Sequence, residues 1–317
     1  MTTHTPPRCT NSEMVKLGST LVLLNPGSYP SYSTFGNQTW IWNGTNGRGD
    51  WTQLTTNFIN ATPLGPSLND VVLSGRVGQA MAYDGTNVVL FGGKGSSNLA
   101  GVFKDTWTFD GSDWTLNTPT NAPFGRFNAQ AAYLAGTGAV LFGGETNSEI
   151  LNETWIWNGS IWTQVDVGNG TGPAARSLHC MAASTTTVLL FGGHGTLRRF
   201  NDTWTFDGAT WTKVTTSTSP SARDGACMAY DTLNNVWVMF GGQTNSNYLA
   251  ETWTFDGATW TKITTTGSPA GRIGAAMAYD LSSRSVIMYG GITSTNTSRP
   301  CNETWAYDVF TSTWTKL

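Results

Sequence analysis

Gly241-Gly242, Glu251-Thr252-Trp253-Thr254-Phe255-Asp256-Gly257 and Trp260-Thr261-Lys262-Ile263, taken in that order, are the stretch whose recurrence decides the fold. Glycine doublets stand at Gly92-Gly93, Gly143-Gly144, Gly192-Gly193, Gly241-Gly242 and Gly290-Gly291, spaced by 51, 49, 49 and 49 residues. Each is followed by a Thr-Trp pair (Trp107, Trp155, Trp204, Trp253, Trp305) and then by a Trp-Thr pair (Trp114, Trp162, Trp211, Trp260, Trp314). An arginine precedes each doublet by 16 to 18 residues: Arg76, Arg126, Arg176, Arg223 and Arg272. A sixth, degenerate copy opens the chain. Arg8 lies 17 residues before Asn25-Pro26, which take the doublet's place, and Thr39-Trp40 and Trp51-Thr52 complete the copy. Twelve of the 15 tryptophans belong to this pattern and are expected in the core.

Within one copy the hydrophobic period is two. Met277-Ala278-Tyr279, Val286-Ile287-Met288-Tyr289, Thr252-Trp253-Thr254-Phe255 and Trp260-Thr261-Lys262-Ile263 read as short strands, and Asp256-Gly257 reads as a hairpin turn. No window carries a helical period. Each copy is therefore a four-stranded antiparallel sheet. One such sheet cannot bury both faces, whereas six arranged radially cover one another.

Arg-x-Gly-x-Ala-Met-Ala-Tyr-Asp, Val-Phe-Gly-Gly, Asp/Glu-Thr-Trp and Trp-Thr together resemble the Kelch repeat. The resemblance runs from about Arg8 to Leu317. It implies an all-β, six-bladed Kelch-type β-propeller with four antiparallel strands per blade, similar to the central domain of galactose oxidase. Residues 1–7 form an N-terminal tail, and the blades cover about 8–55, 76–118, 126–166, 176–216, 223–265 and 272–317, with an inserted loop at 56–75. Kelch propellers include protein-binding adaptors, carbohydrate-handling enzymes such as sialic acid mutarotases, and metal oxidases, so the resemblance implies little about function.

Composition excludes some classes. Lys+Arg number 17 against 20 Asp+Glu, a net charge of −3. Phosphate binding needs a basic excess, so no nucleic-acid partner is expected. No run of 18 apolar residues exists, so no membrane insertion is expected. The first residues carry neither a basic nor an apolar leader segment, and no signal peptide is visible. Sequons are frequent (Asn37, Asn43, Asn60, Asn152, Asn158, Asn169, Asn201, Asn296, Asn302), and only 12% of residues are charged. Such a surface suits an extracellular, cell-surface or virion protein, with a cytoplasmic adaptor as runner-up. Nothing in the sequence sets the oligomeric state.

The arginines open the first strand of each blade, and Asp105, Glu153, Asp202, Glu251 and Glu303 open the third, with Gln38 in blade one. Both ends lie on one side of the sheet, so Arg76, Arg126, Arg176, Arg223 and Arg272 are expected to form a structural ring of arginine–carboxylate pairs. The rival reading is an arginine-rich mouth for an anionic or glycan ligand. Lys94, Glu145, His194, Gln243 and Ile292 follow the doublets and differ from blade to blade. With Arg198, Arg199, Arg8 and Arg76, the first four make up the candidate binding set. Glu145, His194 and Asp224 are the candidate acid/base residues. Cys180 and Cys227 read as small core residues. Cys9 begins blade one and Cys301 precedes the third strand of blade six; a closed ring makes them neighbours, and a disulfide there sews the ring shut.

With only His4, His179 and His194, ligands are too few for a copper-radical or zinc site, and no metal or cofactor is expected. The reading that results is a non-catalytic platform for a protein or glycan. A carbohydrate-active enzyme of the mutarotase or epimerase kind, or a structural unit of a virion or surface assembly, are the alternatives.

Overall fold

The period-two segments become strands throughout, and every regular element among the described residues is a strand. The structure is a computed structural model describing residues 5–25, 38–45, 48–59, 73–95, 101–165, 171–293 and 296–317. Six sheets follow one another along the chain, at residues 14–54, 80–117, 130–165, 180–214, 224–263 and 272–316. Each has its four strands in chain order and antiparallel. They form a six-bladed β-propeller. The first strands surround the axis and the fourth strands lie outermost. No helix among the described residues is long and apolar enough to cross a membrane.

Packing lies between blades. Ala80, Ala82, Val89 and Phe91 of blade two share one apolar cluster with Ala139, Leu141, Trp155, Trp157 and Trp162 of blade three. Five further clusters join the remaining pairs of neighbours, including blade six to blade one.

The Thr-Trp and Trp-Thr pairs explain one another. Each fourth-strand indole donates to the threonine of the preceding blade's Thr-Trp: Trp114 to Thr39 at 2.9 Å, Trp162 to Thr106 at 3.0 Å, Trp211 to Thr154 at 2.9 Å, Trp260 to Thr203 at 2.9 Å and Trp314 to Thr252 at 2.9 Å. Trp51 donates to Thr304 at 3.0 Å, which closes the circle between blades one and six. All six bonds are buried, so losing one partner costs about 1–3 kcal/mol.

The arginines lie within their own blades. The guanidinium of Arg176 donates to both oxygens of Asp202 at 2.7 and 3.0 Å and to the Gly192 carbonyl at 2.9 Å. Arg76 does the same with Asp105, and Arg126, Arg223 and Arg272 pair with Glu153, Glu251 and Glu303. All five arginines are enclosed. Each acid also accepts from the indole two residues later, as Asp202 does from Trp204 at 2.8 Å. The doublet must be glycine because the next blade's backbone passes over it. A Cβ on Gly92 (φ 70) would lie 2.4 Å from the Arg126 carbonyl oxygen.

Blade one departs from the expected register. Two residues past each clamp arginine the backbone turns left-handed, at Gly78, Asn128, Leu178, Gly225 and Gly274; in blade one it does so at Asn11 (φ 50). These residues pass backbone hydrogen bonds around the axis, Gly78 to Asn11, Asn128 to Gly78, Leu178 to Asn128, Gly225 to Leu178 and Asn11 to Gly274, at 2.7–3.0 Å. The clamp position of blade one is therefore Cys9, not Arg8. With Gln38 in the acid's place, that blade has exchanged both charges for neutral side chains. Its seam to blade six keeps the backbone links found between other blades, Gly291 N–H to the Cys9 carbonyl at 2.9 Å and Cys9 N–H to the Cys301 carbonyl at 3.3 Å.

The expected inserted loop is partly sheet. Phe58–Ile59 pairs in parallel with the fourth strand of blade two. Residues 60–72 lie outside the described residues.

Candidate functional site

The loops after the doublets and the connectors between blades share one face. Just above the left-handed turns, each first strand pairs with the residue following its own doublet: Val77 with Lys94, Phe127 with Glu145, Ser177 with His194, Asp224 with Gln243 and Ile273 with Ile292. The mouth is thus chemically lopsided. Blades three to five supply Glu145, His194, Asp224 and Gln243, while Val77, Phe127 and Ile273 are apolar.

A cavity of about 590 Å³ opens between blades four and five, lined by His194, Arg198, Arg199, Asp224, Gln243 and Asn245 among others. Asp224 is its centre. Arg199 Nε donates to Oδ2 at 2.5 Å, Gln243 Nε2 donates to Oδ1 at 2.8 Å, and His194 Nδ1 lies 3.6 Å from Oδ2. Burial pushes the Asp224 carboxyl up, but His194, Gln243 and Arg199 outweigh it and hold the group below the ordinary aspartate range. Contact with Asp224 raises His194 against the opposing effect of its own partial burial. The far ring nitrogen, Nε2, lies 3.4 Å from Ser177 Oγ. Ser177 is enclosed, so this serine supports the imidazole and is not presented to a ligand.

Arg199 also donates to Asn245 Oδ1 across the blade interface. The Gly195 N–H bonds the Arg198 carbonyl at 2.9 Å, a tight turn that leaves Leu197 95% exposed. The Arg198 guanidinium lies over the Phe200 ring, 5.3 Å from its centroid, and makes no ion pair among the described residues.

The other candidates fall as follows. Glu145 Oε1 accepts from Asn128 at 2.8 Å, one blade from His194. The Lys94 ammonium lies over the Phe127 ring. Arg76 is enclosed in its clamp, and its guanidinium lies 4.1 Å from the Phe103 ring centroid, so it presents no face to the mouth. Arg8 donates to the Pro300 carbonyl at 3.3 Å, at the seam of blades six and one. The structure holds no disulfide among the four cysteines. No group of three His, Cys, Asp or Glu among the described residues is placed to hold a metal ion. Asn245 and Ser177 were not in the candidate set. Asp224 carried a readable signal, being the one acid in a row otherwise held by Thr10, Val77, Phe127, Ser177 and Ile273.

The model of the KLHDC2/KLHL20/DRC7 Kelch-repeats domain matches residues 117–268 and 207–317, together more than half of the sequence. The chain belongs to the Kelch-repeat family. No curated protein matches it at significance. Among solved structures, the Kelch propeller described here is similar to that reported as the structure of YjhT, with a TM-score of 0.74 over 99% of this chain and 98% of that one. At 13% identity that likeness concerns the fold alone.

The His194–Asp224 contact has a direct readout. Because Asp224 raises His194, the pair stabilises the fold below the ordinary imidazole value and that contribution fades as pH rises through the folded value. A ¹⁵N-imidazole NMR titration should give His194 an apparent pKa above 6.5, and Asp224→Asn should lower it. An unchanged value in the variant would dismiss the pairing.

Proposed function

We propose that this Kelch propeller is a non-catalytic binding platform that recognises an acidic group of a protein or glycan at the mouth between blades four and five. The observation that carries the reading is the rim of that cavity. Asp224 is buried and already satisfied by Arg199 and Gln243, so Arg198 is left as unpaired positive charge beside the exposed Leu197. Arginine beside exposed apolar surface is the chemistry of binding hot spots. Phe124, 74% exposed in the connector before blade three, adds apolar surface to the same face.

A second reading rests on one observation. A raised imidazole oriented by a buried carboxylate is the arrangement of a general acid/base, which favours a carbohydrate-active enzyme at the same mouth. The test is binding of labelled protein to an array of acidic and neutral glycans, with acidic peptides alongside. Wild type should bind acidic members in a salt-sensitive manner. Arg198→Ala with Arg199→Ala should weaken binding about tenfold or more. Retained binding in that double variant would overturn the platform reading. Turnover of a bound glycan that is lost in His194→Gln while binding persists would favour the enzyme.

We further propose that the protein works outside the reducing cytosol, secreted or on a cell or virion surface, and that Cys9 and Cys301 pair there. Their backbones are hydrogen-bonded at 3.3 Å, which supports the reach a disulfide needs. Pairing transfers two electrons and two protons to an external disulfide such as oxidised glutathione. Closing nearly the whole chain into a loop would stabilise it by about 5 kcal/mol in the chain-entropy view. Peptide mapping of protein from its native source, without reductant, should yield a linked Cys9–Cys301 peptide; four free thiols would overturn this placement.

A further inference from the structure

The six first strands wall a second cavity, about 530 Å³, along the propeller axis. It runs from Asn11, Gly78 and Asn128 at the mouth described above to Gly18, Ala135 and Thr232 on the opposite face. Those last three are exposed, so the cavity opens to solvent there.

Its wall follows the repeat. Two residues past their left-handed turns, Glu13, Gln130 and Cys227 line it. The next row is Met14, Met81, Ala131, Met181, Met228 and Met277, with all five methionines buried. Two rows further, Tyr83, Tyr133, Tyr230 and Tyr279 line the open end, with Tyr83 and Tyr133 in edge contact at 5.0 Å.

Glu13 breaks this apolar wall. Among the described residues it is the one acid lining the cavity. Gln130 Nε2 donates to Oε1 at 2.7 Å, reaching from blade three to blade one. That amide is the only hydrogen-bond partner of the carboxyl among the described residues. Burial raises the carboxyl to about 7 against the effect of Gln130. Among the described residues, none of the other titratable groups facing the cavity makes an ion pair with this carboxyl. His179 is enclosed, and burial beside Arg176 holds it far below the ordinary imidazole value, so it is neutral. The Cys227 thiol is pushed up by burial and is neutral too. Lys16 stands three residues along the same strand toward the open end and makes no ion pair among the described residues.

We propose that the axial channel is a binding site for a small organic ammonium ion, its charge on Glu13, its apolar body against the methionine and alanine wall, and its tail toward the tyrosine-lined opening. A half-buried carboxylate with one amide partner is stabilised by an incoming cation. Tyrosine faces attract cations on the way in, and methionine adapts to varied apolar shapes. The volume is that of a pocket for a drug-sized ligand. This inference does not depend on the reading of the blade four–five mouth.

The probe is 2-phenylethylammonium, with neutral 2-phenylethanol as its partner, followed by calorimetry on the full chain. The ammonium is expected to bind and the alcohol to bind at least about tenfold more weakly. The site needs the ionised carboxyl, so affinity should rise about tenfold from about pH 6 to about pH 8. Glu13→Gln keeps shape and size and should lose both the affinity and its pH dependence. Equal binding of ammonium and alcohol to the wild type, a flat pH profile, or failure of the ammonium to bind at millimolar concentration would overturn the proposal. Undiminished ammonium binding to Glu13→Gln would do the same.

Discussion

An indole N–H that finds its acceptor only on the neighbouring blade is the constraint on which the rest of the molecule depends. A four-stranded sheet exposes two apolar faces and has no reason to stop at any particular partner. The fourth-strand tryptophan supplies that reason. In every blade but the second its ring packs against the aromatic residue before the preceding blade's doublet, as Trp162 does on Phe91 and Trp260 on Phe191, and its N–H reaches the threonine behind. One residue thus fixes spacing and rotation between blades. At the seam Trp51 packs on Tyr289 at 5.3 Å and bonds Thr304, so the first and last blades meet by the same rule as any other two. The hydroxyl that tyrosine adds at 289 is bonded to the carbonyls of Pro6 and Pro7, tying the N-terminal segment to blade six.

The Asp/Glu-Thr-Trp motif reads as three contacts in three residues. The acid holds its own blade's arginine and tryptophan, the threonine receives the next blade's indole, and the tryptophan fills the interface. Buried guanidinium groups of this kind are costly to leave alone, on the order of 3–5 kcal/mol. Where the arginine is absent, in blade one, the acid is absent too, and Gln38 accepts from Trp40 at 3.2 Å in its place.

The fold was legible because each repeated residue answers a local demand that recurs six times. Glycine doublets mark where the next blade's backbone passes, and Asp-Gly turns mark hairpins. The slip at Arg8 has an equally physical cause. Arginine marks the strand start in five blades, whereas the feature shared by all six is the left-handed turn two residues later, which Asn11 supplies in blade one. The site was legible in parts. His194 and Gln243 stand out because the residue after the doublet varies among copies, and Arg199 as part of an extra arginine pair, but their convergence on Asp224 joins two blades and is invisible in any single copy. Glu13 escaped because blade one starts one residue later than its arginine implies. In the true register a carboxylate stands in a row of small or neutral residues.

The central claim is that six equivalent indole latches close the ring, the seam included. Hydrogen exchange at the ¹⁵N-labelled tryptophan Nε1 positions reads each latch separately. The account predicts that Trp51, Trp114, Trp162, Trp211, Trp260 and Trp314 exchange together and slowly, at the rate of global unfolding. Fast exchange at Trp51 while the other five stay protected would mean that blades one and six are not latched, and would contradict it.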